Sequence, residues 1–98
     1  MQNQEVIREV AAANDIVDII GSYTELKKAG AKWKALSPFT NEKTASFYVD
    51  PAKQLWYCWS SGQGGDVFKF LQQVENISFP EALKKLAERA SIRLQEVE

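Results

Sequence analysis

The spacing of apolar residues predicts two short helices at the beginning of the chain. Residues 5–13 place apolar side chains at helical intervals and are followed by Asn14 and Asp15, either of which can cap a following helix. That second helix would end at Gly21, because glycine tolerates the left-handed conformation common after helices. Its buried side would comprise Ile16, Val17, Ile19 and Ile20. Neither helix carries a chemical motif, so we interpret both as scaffold.

From residue 23 onward the pattern changes to the alternation of apolar and polar residues that is typical of β-strands. Lys32 and Lys34 would share one face of a strand while Trp33 takes the other, and Tyr48 would point away from its two neighbours. Four strands are predicted, over residues 23–28, 32–36, 46–49 and 55–59. The last is apolar at every position, which indicates a strand that uses both of its faces.

The last third of the chain predicts two more helices with well-defined starts. Asp66 follows a run of glycines and can cap the first of them. The second begins at Ser78-Phe79-Pro80-Glu81, which fits a capping box with proline in the first turn. These patterns predict an α+β fold, in which a small antiparallel sheet of about four to five strands is flanked by N-terminal and C-terminal helices.

The amino-acid composition mainly excludes certain locations and certain kinds of catalytic chemistry. The 98 residues, 45% of them apolar, fit one domain spanning residues 1–98. The N-terminus lacks the basic and then apolar pattern of a secretory signal, and no apolar run reaches membrane-spanning length, so a cytoplasmic location is expected. One cysteine and no histidine exclude an internal disulfide, a nucleophilic triad and histidine-based proton transfer.

Positive charge is concentrated in the predicted sheet, although the whole chain carries only −1. Between positions 27 and 56 two acids, Glu42 and Asp50, accompany six lysines, which are Lys27, Lys28, Lys32, Lys34, Lys43 and Lys53. The net charge of this middle segment is therefore +4, and the net charge of the two flanking segments together is −5. Cations interleaved with aromatic rings on one sheet are typical of surfaces that bind single-stranded nucleic acid. The same lysines are also compatible with a solvated face that keeps a sheet edge from pairing with another chain.

Two turns rich in proline and glycine carry the most specific pattern. The first runs from Ser37 to Phe47 as Ser-Pro-Phe-Thr-Asn-Glu-Lys-Thr-Ala-Ser-Phe, and the second runs from Cys58 to Asp66 as Cys-Trp-Ser-Ser-Gly-Gln-Gly-Gly-Asp. The first resembles the Cys-Pro-Phe-His-x-Glu-Lys-Thr-Pro-Ser-Phe signature of the N-terminal zinc-binding domain of bacterial DnaG-type DNA primases. The second resembles that family's Cys-Phe-x-Cys-Gly-x-Gly-Gly-Asp/Asn element. The resemblance covers nearly the whole chain and implies a zinc-ribbon-like sheet.

The chain departs from this signature at the metal-binding positions. Where the family places zinc ligands, this sequence has Ser37, Thr40, Cys58 and Ser61. Hydroxyl oxygens are poor zinc ligands beside thiolate and imidazole, so we expect no zinc and no other cofactor. In zinc-finger peptides the metal contributes roughly 10–16 kcal/mol of apparent binding energy to folding. Helix caps, packing and hydrogen bonds between the small polar side chains would have to replace that contribution.

The origin of this ligand loss and the role of the remaining cysteine each have two explanations. Serine in place of cysteine at positions 37 and 61 has the form of a laboratory substitution, but threonine at position 40 and the retained Cys58 favour natural divergence. Cys58 itself is interpreted as a small buried residue rather than as a reactive thiol.

The resemblance implies one module of a primase rather than a complete enzyme. In that family the corresponding domain helps to choose the start site and stabilises single-stranded template DNA and the nascent RNA primer, while a separate polymerase core performs catalysis. The chain has no clustered carboxylates suited to paired magnesium ions, so it is expected to be non-catalytic by itself. The expected partners are template DNA, the primer and the primase core, with the replicative helicase as a further candidate. The isolated domain is expected to be a monomer that does not contact membranes.

The predicted nucleic-acid-binding residues combine cations with aromatic rings. They are Lys27, Lys28, Lys32, Trp33, Lys34, Lys43, Tyr48, Lys53, Trp56 and Trp59. Trp33 and Trp56 are equally compatible with the core. The aromatic residues assigned to the core are Phe39, Phe47, Tyr57, Phe68 and Phe70. The alternative function is a protein-interaction or structural module that docks on the primase core or the replicative helicase without binding DNA directly.

Overall fold

The computed structural model describes residues 4–38 and 46–94. Two helices come first, α1 (Gln4–Ala13) and α2 (Ile16–Gly21). Five strands follow, and they are β1 (Lys27–Ala29), β2 (Lys32–Ala35), β3 (Phe47–Asp50), β4 (Leu55–Cys58) and β5 (Gln63–Gly65). Two further helices, α3 (Val67–Glu75) and α4 (Phe79–Arg89), complete the described chain. The predicted α+β class, with one small antiparallel sheet flanked by helices, is confirmed.

The five strands form one antiparallel sheet in the order β1-β2-β3-β4-β5. In this register Lys34 of β2 pairs with Tyr48 of β3, Tyr48 pairs with Tyr57 of β4, and Tyr57 pairs with Gly64 of β5. Because side chains alternate along a strand, the register fixes which residues share a face. The faces predicted for Lys32, Lys34 and Tyr48 are those observed.

The inner face of the sheet packs against α3 through an aromatic cluster. The rings of Phe47 and Trp56 are stacked with their centroids 5.4 Å apart, and Phe70 of α3 meets each of them edge-on at 6.0 Å. The indole Nε1 of Trp56 donates to the carbonyl oxygen of Asp66 at 2.9 Å. The core of the sheet is therefore tied directly to the residue that begins α3.

Three of the four helices are capped at their N-termini by side chains that the sequence predicts as capping residues. The Asp15 carboxylate accepts from the N–H groups of Val17 and Asp18 in the first turn of α2, and the Asp66 carboxylate accepts from Lys69 N at 2.9 Å. The Ser78 hydroxyl accepts from Glu81 N at 3.3 Å and donates to the Glu81 carboxylate at 3.0 Å. The predicted caps at Asp66 and Ser78 are confirmed, and Asp15 rather than Asn14 caps α2.

Two predicted extended segments take other conformations. The N–H groups of Tyr23 and Thr24 both donate to the carbonyl of Ile20, so these residues close the end of α2, and β1 starts only at Lys27. After α4, residues 92–94 form no strand and pack partly against the core. In the part of the chain that the structure describes, no helix has the length and apolarity needed to cross a membrane.

Candidate functional site

The side of the sheet away from α3 presents cations and rings to solvent. We call this surface the outer face, and it consists of Lys27, Lys32, Lys34, Tyr48, Asp50, Leu55, Tyr57 and Trp59. Trp59 follows β4 and continues its pairing, because its N–H donates to the Ser46 carbonyl at 2.9 Å. Its ring is 68% exposed, more than any other large apolar side chain in the described residues.

The outer face divides into a cationic half and an aromatic half. Lys27 of β1 pairs with Lys34 of β2, and Lys32 lies two residues before Lys34 on the same face. Tyr57 and Trp59 supply exposed rings in a T-shaped contact, with centroids 4.6 Å apart. Since adjacent strands lie about 4.8 Å apart, the lysines of β2 and the rings of β4 are within about 10 Å of each other. One single-stranded nucleic acid could therefore contact both halves of the outer face.

A groove of about 470 Å³ opens on the outer face between the two halves. Its lining includes Tyr48, Leu55 and Tyr57 together with the side chains of Lys32 and Lys53. Gly64 of β5 also lines the groove. A Cβ atom added at Gly64 would lie 2.8 Å from the carbonyl oxygen of Trp56 and 2.9 Å from the Tyr57 ring. Glycine at that position therefore lets the Tyr57 ring lie close to β5.

The structure places most of the predicted binding residues on or beside the outer face. Lys27, Lys32, Lys34, Tyr48, Lys53 and Trp59 all lie there, exposed or partly exposed. Lys28 points to the opposite side of β1, where its Nζ lies 5.1 Å from the centroid of the Trp33 ring. Trp33 itself is half-buried against the core, so neither residue belongs to the outer face. Lys43, Thr40 and Phe39 lie outside the described residues.

Two aromatic assignments are exchanged relative to the sequence prediction. Trp56, which was predicted as a binding residue but was equally compatible with the core, is only 2% exposed and lies in the core, so its ring cannot stack on a base. Tyr57, predicted to be core, is 38% exposed on the outer face. The physical cause is the alternation of β4, in which Trp56 and Cys58 face α3 and Tyr57 must point away. The burial of Phe47, Phe68 and Phe70 is confirmed.

At one end of the sheet, the described positions that match zinc ligands of the signature come together. The Cys58 thiol donates to Ser37 Oγ at 3.3 Å, and Cys58 Sγ lies 3.2 Å from Ser60 Oγ. Cys58 is fully buried and Ser37 is 5% exposed, which confirms the predicted burial of the cysteine. Burial raises the pKa of Cys58, but hydrogen bonds from Ser37, Ser60 and Ser61 outweigh it and lower the pKa to about 7.

The described residues at this end of the sheet do not supply the ligands that a zinc ion needs. Among the described residues no group of three or more histidine, cysteine, aspartate or glutamate side chains is placed to hold a metal. In the described part of the chain, the side-chain oxygens that contact Cys58 Sγ are the hydroxyls of Ser37 and Ser60. Zinc sites in proteins use thiolate, imidazole and carboxylate ligands, and one thiol with several neutral hydroxyls supplies too few of them.

Stability is expected to depend on pH through Cys58. Its pKa falls from an ordinary value of 9.0 to about 7 on folding. The thiol is therefore protonated in both states below pH 7, and its stabilising contribution is fully present only above pH 9. Raising the pH from 7 to 8 should increase the free energy of unfolding by about 1 kcal/mol. Urea unfolding at both pH values measures this change, and an identical increase in Cys58→Val would contradict the assignment to the thiol.

Comparison with known proteins places the whole chain in one group. Residues 2–98 match the family model described as CHC2 zinc finger. The DNA primase of Halalkalibacterium halodurans is 47% identical over 93 residues, which are 95% of this chain and 16% of that protein. The DNA primase of Enterococcus faecalis is 51% identical over 85 residues, which are 87% of this chain and 14% of that protein.

A solved structure agrees with this grouping at the level of the fold. The crystal structure of the Aquifex aeolicus primase, described as containing zinc-binding and RNA polymerase domains, superposes with a TM-score of 0.87 and 41% sequence identity. The match covers 92% of this chain and 22% of the Aquifex chain. The chain thus spans only a small part of the length of the relatives that it matches.

Proposed function

The chain belongs to the CHC2 zinc finger family of bacterial DnaG-type DNA primases, and from this premise we propose that it binds single-stranded template DNA and helps to select the start site of primer synthesis. Polymerisation would be carried out by a primase core outside these 98 residues. The working partners would be the template, the nascent RNA primer and that core.

The observation that carries this proposal is the outer face, where a row of lysines lies beside exposed rings. Lys27, Lys32 and Lys34 are exposed and would attract phosphates through the release of counterions. Tyr57 and Trp59 expose rings on which unpaired bases can stack, at about 1–3 kcal/mol per base. A single-stranded nucleic acid needs both kinds of contact close together, and β2 and β4, which are separated only by β3, supply them on one face of the sheet.

The proposal also describes a domain that works without zinc. The support is chemical, because the side chains around Cys58 are hydroxyls rather than the thiolates and imidazole of the family signature. DNA binding on the outer face would then depend on the folded sheet and not on an ion. Metal analysis of the purified protein tests this part of the proposal, and stoichiometric zinc would refute it.

Charge reversal of the lysine row tests the DNA-binding function. We expect Lys32→Glu with Lys34→Glu to weaken binding of a single-stranded oligonucleotide at least about tenfold at low salt. The dependence of log affinity on log salt should become shallower by about 1.4, since each lost phosphate contact removes about 0.7 for single strands. Titration against the tryptophan fluorescence of the protein, at several salt concentrations, measures both quantities.

A matched control separates this effect from a general change in charge. Lys84 is exposed on α4, a helix outside the sheet, so Lys84→Glu should change the affinity much less than Lys32→Glu or Lys34→Glu does singly. Equal effects of the three substitutions would indicate non-specific attraction to the whole molecule. Absence of DNA binding by the wild-type chain at low salt would exclude the proposed function and favour the docking module, for which the exposed Leu55 and Trp59 would serve as apolar contacts.

A further inference from the structure

Three separate parts of the sheet meet around Cys58. Ser37 follows β2, Ser46 precedes β3, and Ser60 and Ser61 lie in the turn between β4 and β5. These segments are distant along the chain, since Ser37 and Cys58 are 21 residues apart. A zinc ion bound at the signature positions would join the same region of the sheet through its ligands.

Hydrogen bonds connect these segments in a continuous chain. The Cys58 thiol contacts Ser37 Oγ at 3.3 Å and Ser60 Oγ at 3.2 Å, and the Ser46 hydroxyl donates to Ser60 Oγ at 3.2 Å. Every side chain of the group therefore has a polar partner. Burial requires such a partner for the Ser37 hydroxyl, whereas Ser46 is half-buried and Ser60 is exposed.

The backbone of the turn after β4 is closed without a ligand as well. The N–H of Gly62 donates to the carbonyl of Cys58 at 2.8 Å, and Gly62 has a φ of +72°, a conformation that glycine adopts without strain. On the other side of the turn, Trp59 N donates to the Ser46 carbonyl at 2.9 Å. The turn thus has main-chain bonds that fix its shape and side-chain bonds that fix its position.

We infer that the side chains of Ser37, Ser46, Cys58 and Ser60 form a hydrogen-bonded clasp that takes the structural place of the zinc ion. The clasp holds the segment after β2 and the segment before β3 against the turn after β4. The inference rests on the proposed absence of zinc but not on DNA binding, so the two can fail separately.

A clasp differs from ordinary packing because its members depend on one another. Removing the Ser37 hydroxyl deletes the bond to Cys58, and removing the sulfur deletes the bonds to both Ser37 and Ser60. Residues that share one hydrogen-bond network show non-additive effects on stability, whereas independent contacts show additive ones. Non-additivity is therefore the measurable signature of the clasp.

A double-mutant cycle tests this dependence. Ser37→Ala and Cys58→Val should each lower the Tm by several degrees, about 4–8 °C for each hydrogen bond lost in a domain of this size. The double variant should lose clearly less than the sum of the two shifts. Ser91→Ala changes an exposed serine in the turn after α4 and serves as the matched control, with little change expected. Additive shifts for Ser37→Ala and Cys58→Val would overturn the clasp.

Conservative variants keep the test valid if Cys58→Val folds poorly. Cys58→Ser retains a hydrogen-bonding group in a smaller side chain, so it should be more stable than Cys58→Ala if bonding dominates. The reverse order would show that only apolar packing matters at this position and would also overturn the clasp. Circular dichroism of each variant establishes that the folded state is being compared.

Chelation separates the clasp from a metal site. The Tm of the wild-type chain should be unchanged by excess EDTA and should not rise on addition of zinc, because ligands that bind only the folded state raise the Tm. A Tm that falls on chelation would overturn the clasp together with the proposed absence of zinc. An unchanged Tm with additive variant shifts would overturn the clasp alone and leave the zinc-free proposal standing.

Discussion

Alanine at both Tyr57 and Trp59 is expected to remove most of the affinity for single-stranded DNA. Each ring that stacks on a base contributes about 1–3 kcal/mol, so losing two rings should weaken binding at least about 30-fold. Both side chains are exposed on the outer face, and their rings meet in a T-shaped contact with centroids 4.6 Å apart. They are therefore available to bases without any rearrangement of the sheet.

Ring-preserving variants provide the control for this experiment. Tyr57→Phe and Trp59→Phe keep an aromatic face and should retain most of the affinity, because stacking depends on the ring rather than on its polar group. Fluorescence anisotropy of a labelled oligonucleotide measures binding without relying on Trp59 as a reporter. Thermal unfolding of the alanine variant checks the fold, since Tyr57 also lies close to β5.

The outcome distinguishes two uses of the same surface. If the alanine and phenylalanine variants bind DNA equally well, the rings do not stack on bases and the outer face is better explained as a protein-docking surface. If the alanine variant alone loses affinity and the lysine variant flattens the salt dependence, cations and rings act on one ligand. Both contacts in that arrangement are what binding of a single nucleic-acid strand requires.

Local sequence signals were sufficient to predict the helices and most of the sheet. Asp66 and Ser78 were identifiable as helix caps because a capping side chain acts on N–H groups only two or three residues away. The assignment of Lys32 and Lys34 to one face also followed from alternation alone. Each of these features depends on interactions between residues that are close in the sequence, so a single sequence is enough to predict it.

The orientation of β4 could not be obtained in the same way. All its residues are apolar. Alternation therefore predicts that Trp56 and Tyr57 point to opposite faces of the sheet, but it does not predict which of the two faces is buried. The choice depends on Phe47 and Phe70, which stack on or meet the ring of Trp56 from β3 and α3. β5 was missed for a related reason, because two of its three residues are glycine and its pairing comes from β4.

Asn14 is the clearest case of a residue whose role depends on distant partners. From the sequence it was one of two candidate caps for α2, but Asp15 performs that function. The Asn14 side chain is instead fully buried between α1 and α4. Its Nδ2 donates to the carbonyls of Val10 at 2.8 Å and Leu86 at 2.9 Å, and its Oδ1 accepts from Arg89 at 3.1 Å. No local pattern indicates a bond across 72 residues of sequence.

Replacing Asn14 by alanine should destabilise the fold more than any other single polar substitution discussed above. Three hydrogen bonds are lost, and the buried carbonyls of Val10 and Leu86 lose a partner, which together should cost about 2–4 kcal/mol. For a domain of this size that corresponds to a fall in Tm of about 10–20 °C. Differential scanning calorimetry measures the shift.

Two further variants show whether the loss comes from the buried amide. Arg89→Ala removes only the bond to Asn14 Oδ1 and should lower the Tm by a few degrees, since the arginine is largely exposed. Asn14→Asp keeps the shape but places a carboxylate oxygen against two carbonyl oxygens, so it should be at least as destabilising as alanine. A Tm for Asn14→Asp close to that of the wild type would mean that the amide donor does not hold α1 against α4. DNA affinity per folded molecule should be unchanged in all three variants, because Asn14 lies on the helical side of the sheet, away from the outer face.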